Sequence, residues 1–206
     1  SMDYGFKDLK DPNAYSPDRA KQLLAEDGWK DTDGDGILDK DGKPLTFDFV
    51  VYNSRAELPL YAEAVQADLK KVGIDMKIKT VDYNLIDKMG QDGDYDMLIS
   101  NIVTANTGDP IWFLANYWHT NVDGSNPQNG SGYSNPQVDQ LLDAAETEFD
   151  PAKRRDYAIQ IQQLLMNDGA ALFLGYPKTN IVTGSYLKGA VMYPSDYYWI
   201  TNKITK

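Results

Sequence analysis

Residues 45–79 read LTFDFVVYNSRAELPLYAEAVQADLKKVGIDMKIK, and the changes of period along them give the strongest indication of the fold class. Its first part, from Leu45 to Val51, alternates apolar and polar side chains, which predicts a β-strand. Between Arg55 and Val72 the apolar residues recur every three or four positions, so they fall on one face of a helix that ends at Gly73. Alternation returns from Ile74 to Lys79 and predicts a second strand. Because a right-handed crossover through a helix brings the second strand back alongside the first, we expect the two strands to be parallel.

The sequence on either side extends this pattern. A short helix is predicted over 84–90, and the run Met97-Leu98-Ile99 indicates a third strand over 95–103 that is buried on both faces. Three more helices are predicted where a capping residue precedes proline, at Ser16-Pro17, Asn135-Pro136 and Asp150-Pro151. One more strand is predicted over 170–176. This order of elements predicts an α/β fold with a central, mostly parallel sheet flanked by helices.

Composition narrows the classes of function. The chain has 206 residues, and 31 acidic against 20 basic residues give it a net charge of −11. Nucleic acid is not expected as a partner, because phosphate binding needs a basic surface. The absence of cysteine excludes disulfides, cysteine-ligated zinc and thiol catalysis. Since the single histidine, His119, has no nucleophile motif near it, we do not expect an enzyme.

An acidic loop follows the first predicted helix. Asp31, Asp33, Asp35 and Asp39 match the spacing of the first half of a calcium-binding loop, in which alternate carboxylates converge on one point. The twelfth position of that motif is Gly42, where the complete motif carries a bidentate glutamate. Two interpretations stay open, a weak structural calcium site and a solvated turn. No cofactor is required under either of them.

A series of motifs resembles a known family across most of the chain. The motifs are AYSPDRAKQLLAEDGW at 14–29, Gly36-Ile37, DGKPL at 41–45, Gly73-Ile74, DYDM at 94–97, Asp109-Pro110, GYSNPQVD at 132–139 and DPAKR at 150–154. In this order they are similar to the third domain of the family 5 solute-binding proteins, the peptide- and nickel-type receptors of ABC importers. One such motif would be weak evidence, but the ordered series is strong.

The resemblance implies one lobe of a two-lobed, periplasmic-binding-protein-like clamp. Residues 1–182 are expected to form the lobe, and the aromatic tail 183–206 is expected to return to a first lobe that lies outside this sequence. The whole protein would be exported to the extracellular face of the membrane or the periplasm. A lipid anchor on an upstream N-terminus would hold it there, and it would deliver its ligand to an ABC permease in the membrane.

The function implied is capture of a peptide-like solute in the cleft between the lobes. A nickel chelate is the first alternative, and opines and sugars also occur as ligands on this scaffold. An alternative from another class is a calcium-stabilised structural or adhesion module, which only the acidic loop suggests. The α/β pattern speaks against that alternative, because such spacers are usually all-β.

Ligands of open α/β sheets bind beyond the carboxyl ends of the strands, so we expect the ligand contacts there. The candidates are Asn53 and Arg55 after the first strand, Asn106, Asp109 and Trp112 after the third, and Tyr117 and His119 farther on. Amide groups suit hydrogen bonding to peptide-like groups, and aromatic rings supply apolar walls. For Trp112 the alternative is a place in the core of a short helix.

Two of these positions take their meaning from the resemblance. Peptide-binding members carry an aspartate three residues before the Asp-Pro pair, where it takes the α-amino group of the ligand. Here that position is the neutral Asn106, so either Asp109 or another acid substitutes for it, or the ligand lacks a free amine. His119 lies near the position of a histidine that reaches a chelated metal in nickel-binding members. The alternative for His119 is a hydrogen-bonded surface residue.

Overall fold

The computed structural model of the chain describes residues 7–104, 109–176, 178, 180–192 and 201–206. Its helices are α1 (Pro17–Glu26), α2 (Glu57–Lys70), α3 (Ile86–Asp92), α4 (Pro110–Trp118), α5 (Pro136–Thr147) and α6 (Pro151–Asn167). Its strands are β1 (Asp39–Lys40), β2 (Lys43–Pro44), β3 (Thr46–Tyr52), β4 (Asp75–Val81) and β5 (Met97–Leu98). A short 3-10 helix, Tyr83–Leu85, leads into α3. No helix in the described ranges combines the length and the apolar character needed to cross a membrane.

The central sheet has the strand order β4-β3-β5, and both pairings are parallel. Phe47 pairs with Met76 on β4, and Phe49 pairs with Met97 on β5. The predicted strand-helix-strand unit and the α/β class are therefore confirmed. The strands β1 and β2 form a separate antiparallel hairpin.

The first core lies on the central strand. From Phe49 to Tyr52 every residue of β3 is buried, and Leu58 and Ala62 of α2 pack against them. A central strand covered on both faces carries a continuous apolar run. A continuous apolar run was predicted for the strand at 95–103. In the structure the buried run lies instead on β3, the strand that was predicted to alternate.

The predicted third strand is much shorter than 95–103. β5 comprises two half-buried residues, Met97 and Leu98, and its pairing is extended by a hydrogen bond from the Ile99 N–H to the Val50 carbonyl (3.0 Å). Among the described residues β5 pairs with β3 alone, which makes it an edge strand of this sheet. Such a strand is short because few of its backbone groups have ladder partners.

The predicted helix starts are confirmed by their caps. The side chains of Ser16, Asn135 and Asp150 each accept a hydrogen bond from a backbone N–H in the first turn of α1, α5 and α6, and proline occupies the first helical position. Asp109 caps α4 in the same way. These side chains satisfy N–H groups that have no partner within the helix.

A second core joins α4, α5 and α6. Its buried members are Ile111, Leu114, Trp118, Val138, Leu142, Ala145, Ala158, Ile161 and Leu165. The sequence pattern predicted apolar faces on α5 and α6 but assigned them to the flanks of the sheet. In the structure these helices bury their apolar faces mainly against one another and α4.

Two backbones approach closely where α3 lies against the loop between α4 and α5. Gly90 lies in α3, and Gly130 lies in the loop between α4 and α5. A Cβ atom added at Gly130 would lie 3.1 Å from the Cα of Gly90, closer than ordinary van der Waals contact. The Tyr95 hydroxyl donates a hydrogen bond to the Gly130 carbonyl at the same place. Glycine suits position 130 because a side chain there would press on the backbone of α3 and force the two segments slightly apart.

The predicted strand over 170–176 is wrong. The segment has no regular structure, and Leu172, Phe173 and Tyr176 are exposed. Only Leu174 packs against the first core. Apolar residues favour an extended chain, but a strand forms only where a neighbour offers ladder hydrogen bonds. No such neighbour lies beside this segment in the described part of the chain.

The tail from residue 183 is described in two pieces. An antiparallel bridge joins Lys188 to Thr205, with hydrogen bonds of 2.9 and 3.0 Å between their backbones. The aromatic residues 193–200, on which the prediction of a returning tail depends, lie outside the described residues. The return of the tail to a first lobe stays a prediction.

Candidate functional site

The carboxyl ends of the three parallel strands come together on one edge of the sheet. Tyr52 ends β3, and its hydroxyl oxygen accepts a hydrogen bond from the backbone N–H of Asn101 (3.1 Å), three residues beyond β5. The side-chain amide of Asn101 donates to the Glu57 carboxylate in the first turn of α2 (3.4 Å). A chain of polar contacts thus links the end of β3, the segment after β5 and the start of α2.

Aromatic rings line the same edge. The ring of Tyr52 packs edge-to-face on Tyr83, which follows β4, with 5.1 Å between the ring centroids. Burial raises the pKa of Tyr117 on α4, and the nearby Asp87 and Tyr83 raise it further. The Tyr117 ring itself packs against Phe113 and the second core, with 5.1 Å between the two ring centroids, so Tyr117 approaches this edge from α4. We name Tyr52, Glu57, Tyr83, Asn101 and Tyr117 the strand-end face.

The other predicted ligand contacts are distributed around this face. Asn53 and Arg55 are exposed in the turn between β3 and α2. Trp112 lies in the first turn of α4 and is 40% exposed, so it is not a core residue. Asn106 lies outside the described residues. Tyr117 is thus the predicted contact that belongs to the strand-end face itself.

Asp109 has a structural role in the described part of the chain. One carboxylate oxygen accepts a hydrogen bond from the Ile111 N–H (3.0 Å), which caps α4, and the other pairs with the Arg154 guanidinium on α6. Arg154 also donates to the carbonyls of Ala145 and Glu148 at the end of α5 (2.9 Å to Glu148). An acid so engaged is a poor substitute for a ligand-binding aspartate, because a ligand amine would compete with a guanidinium.

His119 faces α5 and not the strand-end face. Its Nε2 lies 3.3 Å from the Asp143 carboxylate, and its Nδ1 lies 3.3 Å from the Thr120 carbonyl and 3.6 Å from the Asp139 carboxylate. Both ring nitrogens already have protein partners. A metal ligand needs an unoccupied ring nitrogen, so this geometry supports the structural interpretation of His119.

We expect His119 to make the stability of the fold depend on pH. Burial lowers the pKa of His119, but the Thr120 carbonyl and the carboxylates of Asp143 and Asp139 outweigh it and raise the pKa above its ordinary value. Because the folded-state pKa exceeds the unfolded one, the stabilisation is complete below about pH 6.5 and is lost as pH rises through the folded-state pKa. Solvent screens this half-exposed group, so its contribution is at most about 1 kcal/mol.

Urea unfolding of the native chain and of His119→Gln, at about pH 5.5 and about pH 8.5, measures this effect. The native chain should exceed the variant in free energy of unfolding by more at the lower pH. Glutamine keeps the hydrogen-bonding capacity but cannot take the charge. An advantage that is equal at the two pH values, or larger at the higher one, would contradict the expectation.

The acidic loop brings three of its four predicted ligands together. One carboxylate oxygen each from Asp31, Asp33 and Asp39 lie within 4.8 Å of one another, and Asp35 is not part of this group. The two Asp31 oxygens accept hydrogen bonds from the N–H groups of Gly34 (2.7 Å) and Gly36 (3.0 Å). Carboxylates that accept such local bonds are typical of tight turns without a metal. The calcium interpretation stays a prediction.

An open cavity of about 700 Å³ lies at the other edge of the sheet. It is lined by residues 90–96 at the end of α3 and by the glycine-rich loop at 121–132. Asp96 precedes β5 directly, so this cavity lies at the amino end of that strand. Ligands of open α/β sheets bind at the carboxyl ends, and the strand-end face is therefore the better candidate.

Glu57, Asn101 and Arg154 were not among the site residues predicted from the sequence. Asn101 follows a strand end, and the rule used for Asn53 applied to it equally. Glu57 stands within the predicted helix between Arg55 and Val72, and a helical pattern does not by itself indicate a ligand contact. The partner of Arg154 is 45 residues away in sequence, and no local pattern reports such a pair.

The sequence matches the family model described as "Bacterial extracellular solute-binding proteins, family 5 Middle" over residues 1–125. The oligopeptide-binding protein AppA of Bacillus subtilis (strain 168) is 31% identical over 196 residues, which are 91% of this chain and 34% of AppA. The nickel-binding protein NikA of Staphylococcus aureus is 26% identical over 188 residues, which are 91% of this chain and 35% of NikA. The chain thus spans about a third of the length of these curated relatives.

Solved structures show the same similarity. The structure of AppA from Bacillus subtilis in complex with a nonapeptide has a TM-score of 0.73 and 31% identity, covering 83% of this chain and 34% of AppA. DppA from Helicobacter pylori in complex with the peptide STSA has a TM-score of 0.70 and 27% identity, covering 87% of this chain and 32% of DppA. The predicted α/β lobe is confirmed by these neighbours.

Proposed function

Since the chain belongs to the bacterial extracellular solute-binding proteins of family 5, we propose that it forms one lobe of a receptor for an ABC importer. The ligand is a peptide-like solute that is captured between this lobe and the remainder of the protein. The relatives support this proposal, because AppA is named as an oligopeptide-binding protein and its solved structure holds a nonapeptide.

The observation that carries the proposal is the composition of the strand-end face. An extended peptide offers amide groups along its backbone and apolar or aromatic side chains on either side. The face offers the matching groups: the side-chain amide of Asn101 is bonded to the carboxylate of Glu57, and the backbone N–H of Asn101 is bonded to Tyr52, whose ring packs on Tyr83. Sites for such ligands combine apolar walls with a few well-placed polar groups.

The mechanism follows from the division into lobes. A ligand that touches both lobes stabilises the closed form over the open form by its extra contacts. The closed form is then the one that an ABC permease recognises at the membrane. The receptor works outside the cell membrane, in the periplasm or at the extracellular face, and a lipid anchor upstream of this chain holds it there. It performs no chemical reaction on its ligand.

A nickel chelate is the weaker alternative. The relative NikA of Staphylococcus aureus favours it. In this chain, however, the histidine that would reach the metal has both ring nitrogens engaged by Asp143 and Thr120. The adhesion alternative lacks support from the family and from the α/β fold.

Two measurements test the proposal. Native mass spectrometry of the full-length gene product, purified gently from its own cells, should show bound masses that differ by amino-acid residues. Isothermal titration with the tetrapeptide STSA should then give measurable binding to the full-length protein and at least about tenfold weaker binding to the 206-residue chain. A co-purified metal chelate, or equal affinity of the chain and the full-length protein, would refute the proposal.

A further inference from the structure

We propose that Glu57 is the acidic group that binds a cationic end of the ligand, in particular the free α-amino group of a peptide. This inference rests on the proposed function and names the ligand chemistry of the strand-end face. A buried ammonium group needs a carboxylate partner, because leaving it unpaired in a closed cleft costs several kcal/mol.

Four acidic residues lie near the carboxyl ends of the strands, and two of them are already engaged. Asp109 caps α4 and pairs with Arg154. Asp82 accepts hydrogen bonds from the backbone N–H (2.8 Å) and the side-chain amide (2.7 Å) of Asn84, which fix it as the cap of the 3-10 helix. Turning either carboxylate to a ligand would weaken a helix start, because each accepts the capping hydrogen bond there.

Glu57 is different because its contact is a single long hydrogen bond. The amide of Asn101 donates to it at 3.4 Å, and no cationic side chain pairs with it among the residues that the structure describes. No side chain caps α2, so Glu57 is not held in a capping interaction. Its place in the first turn of α2 favours negative charge, since the helix dipole is positive there.

The surroundings of Glu57 suit an ammonium group. The residue is half-buried, so an ion pair with it would be less screened than one at an exposed acid. The side-chain amide of Asn101 donates to Glu57 while its backbone N–H donates to the Tyr52 hydroxyl, and the Tyr52 ring contacts Tyr83. The Glu57 carboxylate is thus joined to the strand-end face through Asn101 and can accept further, charge-assisted hydrogen bonds from an ammonium group.

The remaining acid, Asp87, is the rival candidate. It lies on α3 near Tyr117, and it is exposed to solvent. An exposed carboxylate gains little from an ion pair, because water screens the charges. Asp87 therefore serves as a comparison variant in the experiment.

The experiment compares STSA that carries a free amino terminus with its N-acetylated form, by titration into the full-length protein. The native protein should bind the free form at least about tenfold more tightly than the acetylated form. In Glu57→Gln this preference should disappear through weaker binding of the free form, with the affinity for the acetylated form unchanged. Glutamine has the same shape and still accepts the Asn101 hydrogen bond, so the fold is not disturbed.

Matched controls separate this role from general effects on charge. Glu63→Gln removes an exposed carboxylate from the same helix and should leave the preference intact. A preference that survives in Glu57→Gln, or that disappears in Asp87→Asn instead, would overturn the assignment while the proposed function stands. Equal binding of the two forms by the native protein would overturn it in the same way. Failure of both forms to bind would overturn the assignment and the peptide function together.

Discussion

Arg154→Ala should lower the free energy of unfolding by about 2–3 kcal/mol. The guanidinium holds three parts of the helical unit together, namely the Asp109 carboxylate at the start of α4 and the carbonyls of Ala145 and Glu148 at the end of α5. Only 23% of the Arg154 side chain is exposed, so water cannot fully replace these contacts. Chemical denaturation monitored by circular dichroism measures the loss.

The neighbouring Lys153 provides the control. Its side chain is 66% exposed and pairs with Glu148 at 3.4 Å, so Lys153→Ala should change the stability by less than about 0.5 kcal/mol. Asp109→Asn keeps a good capping side chain and removes only the charge. The loss on Arg154→Ala should therefore be smaller in the Asp109→Asn background. If the two losses add without coupling, the ion pair does not contribute as described.

A larger effect is expected from the centre of the second core. Leu142→Ala should cost about 2–5 kcal/mol, because it leaves a cavity among α4, α5 and α6 that the helices can fill only partly. Leu142 is fully buried (0% exposed) and contacts the apolar faces of these helices. The variant should therefore melt at a markedly lower temperature than the native chain.

Leu60→Ala is the matched control for this prediction. Leu60 lies on α2 and is 66% exposed, so the same substitution should change the free energy of unfolding by less than about 0.5 kcal/mol. Both variants are measured by thermal and urea unfolding at the same protein concentration. Similar losses in the two variants would show that the three helices do not form a tight core of their own.

Local signals explain the parts of the fold that the sequence predicts well. The capping pairs at Ser16, Asn135 and Asp150 act within one turn of their helices, and all three starts are found where the pairs place them. The change of period between β3 and α2 is also local. Such features depend on residues that are adjacent in the chain, so they can be predicted from the sequence alone.

The errors concern contacts between distant residues. The lengths of β5 and of the segment 170–176 depend on which strand lies beside them, and no pattern within a segment specifies its neighbour. For the same reason, local patterns do not predict the pairing of Asp109 with Arg154 or the contact of Asn101 with Glu57. For the candidate site, the rule of strand ends predicts which edge of the sheet binds the ligand, but it does not rank the acids there.

The close approach of Gly90 and Gly130 has a mechanical consequence. Where α3 meets the loop between α4 and α5, no layer of side chains separates the two backbones, so these two segments resist sliding past each other. If the proposed receptor closes around its ligand, we expect this lobe to move as one rigid body. The bending would then be concentrated in the segments of polypeptide that connect this lobe to the rest of the protein. A substitution in those connections would change the rate of closing, and one inside the lobe would change its stability.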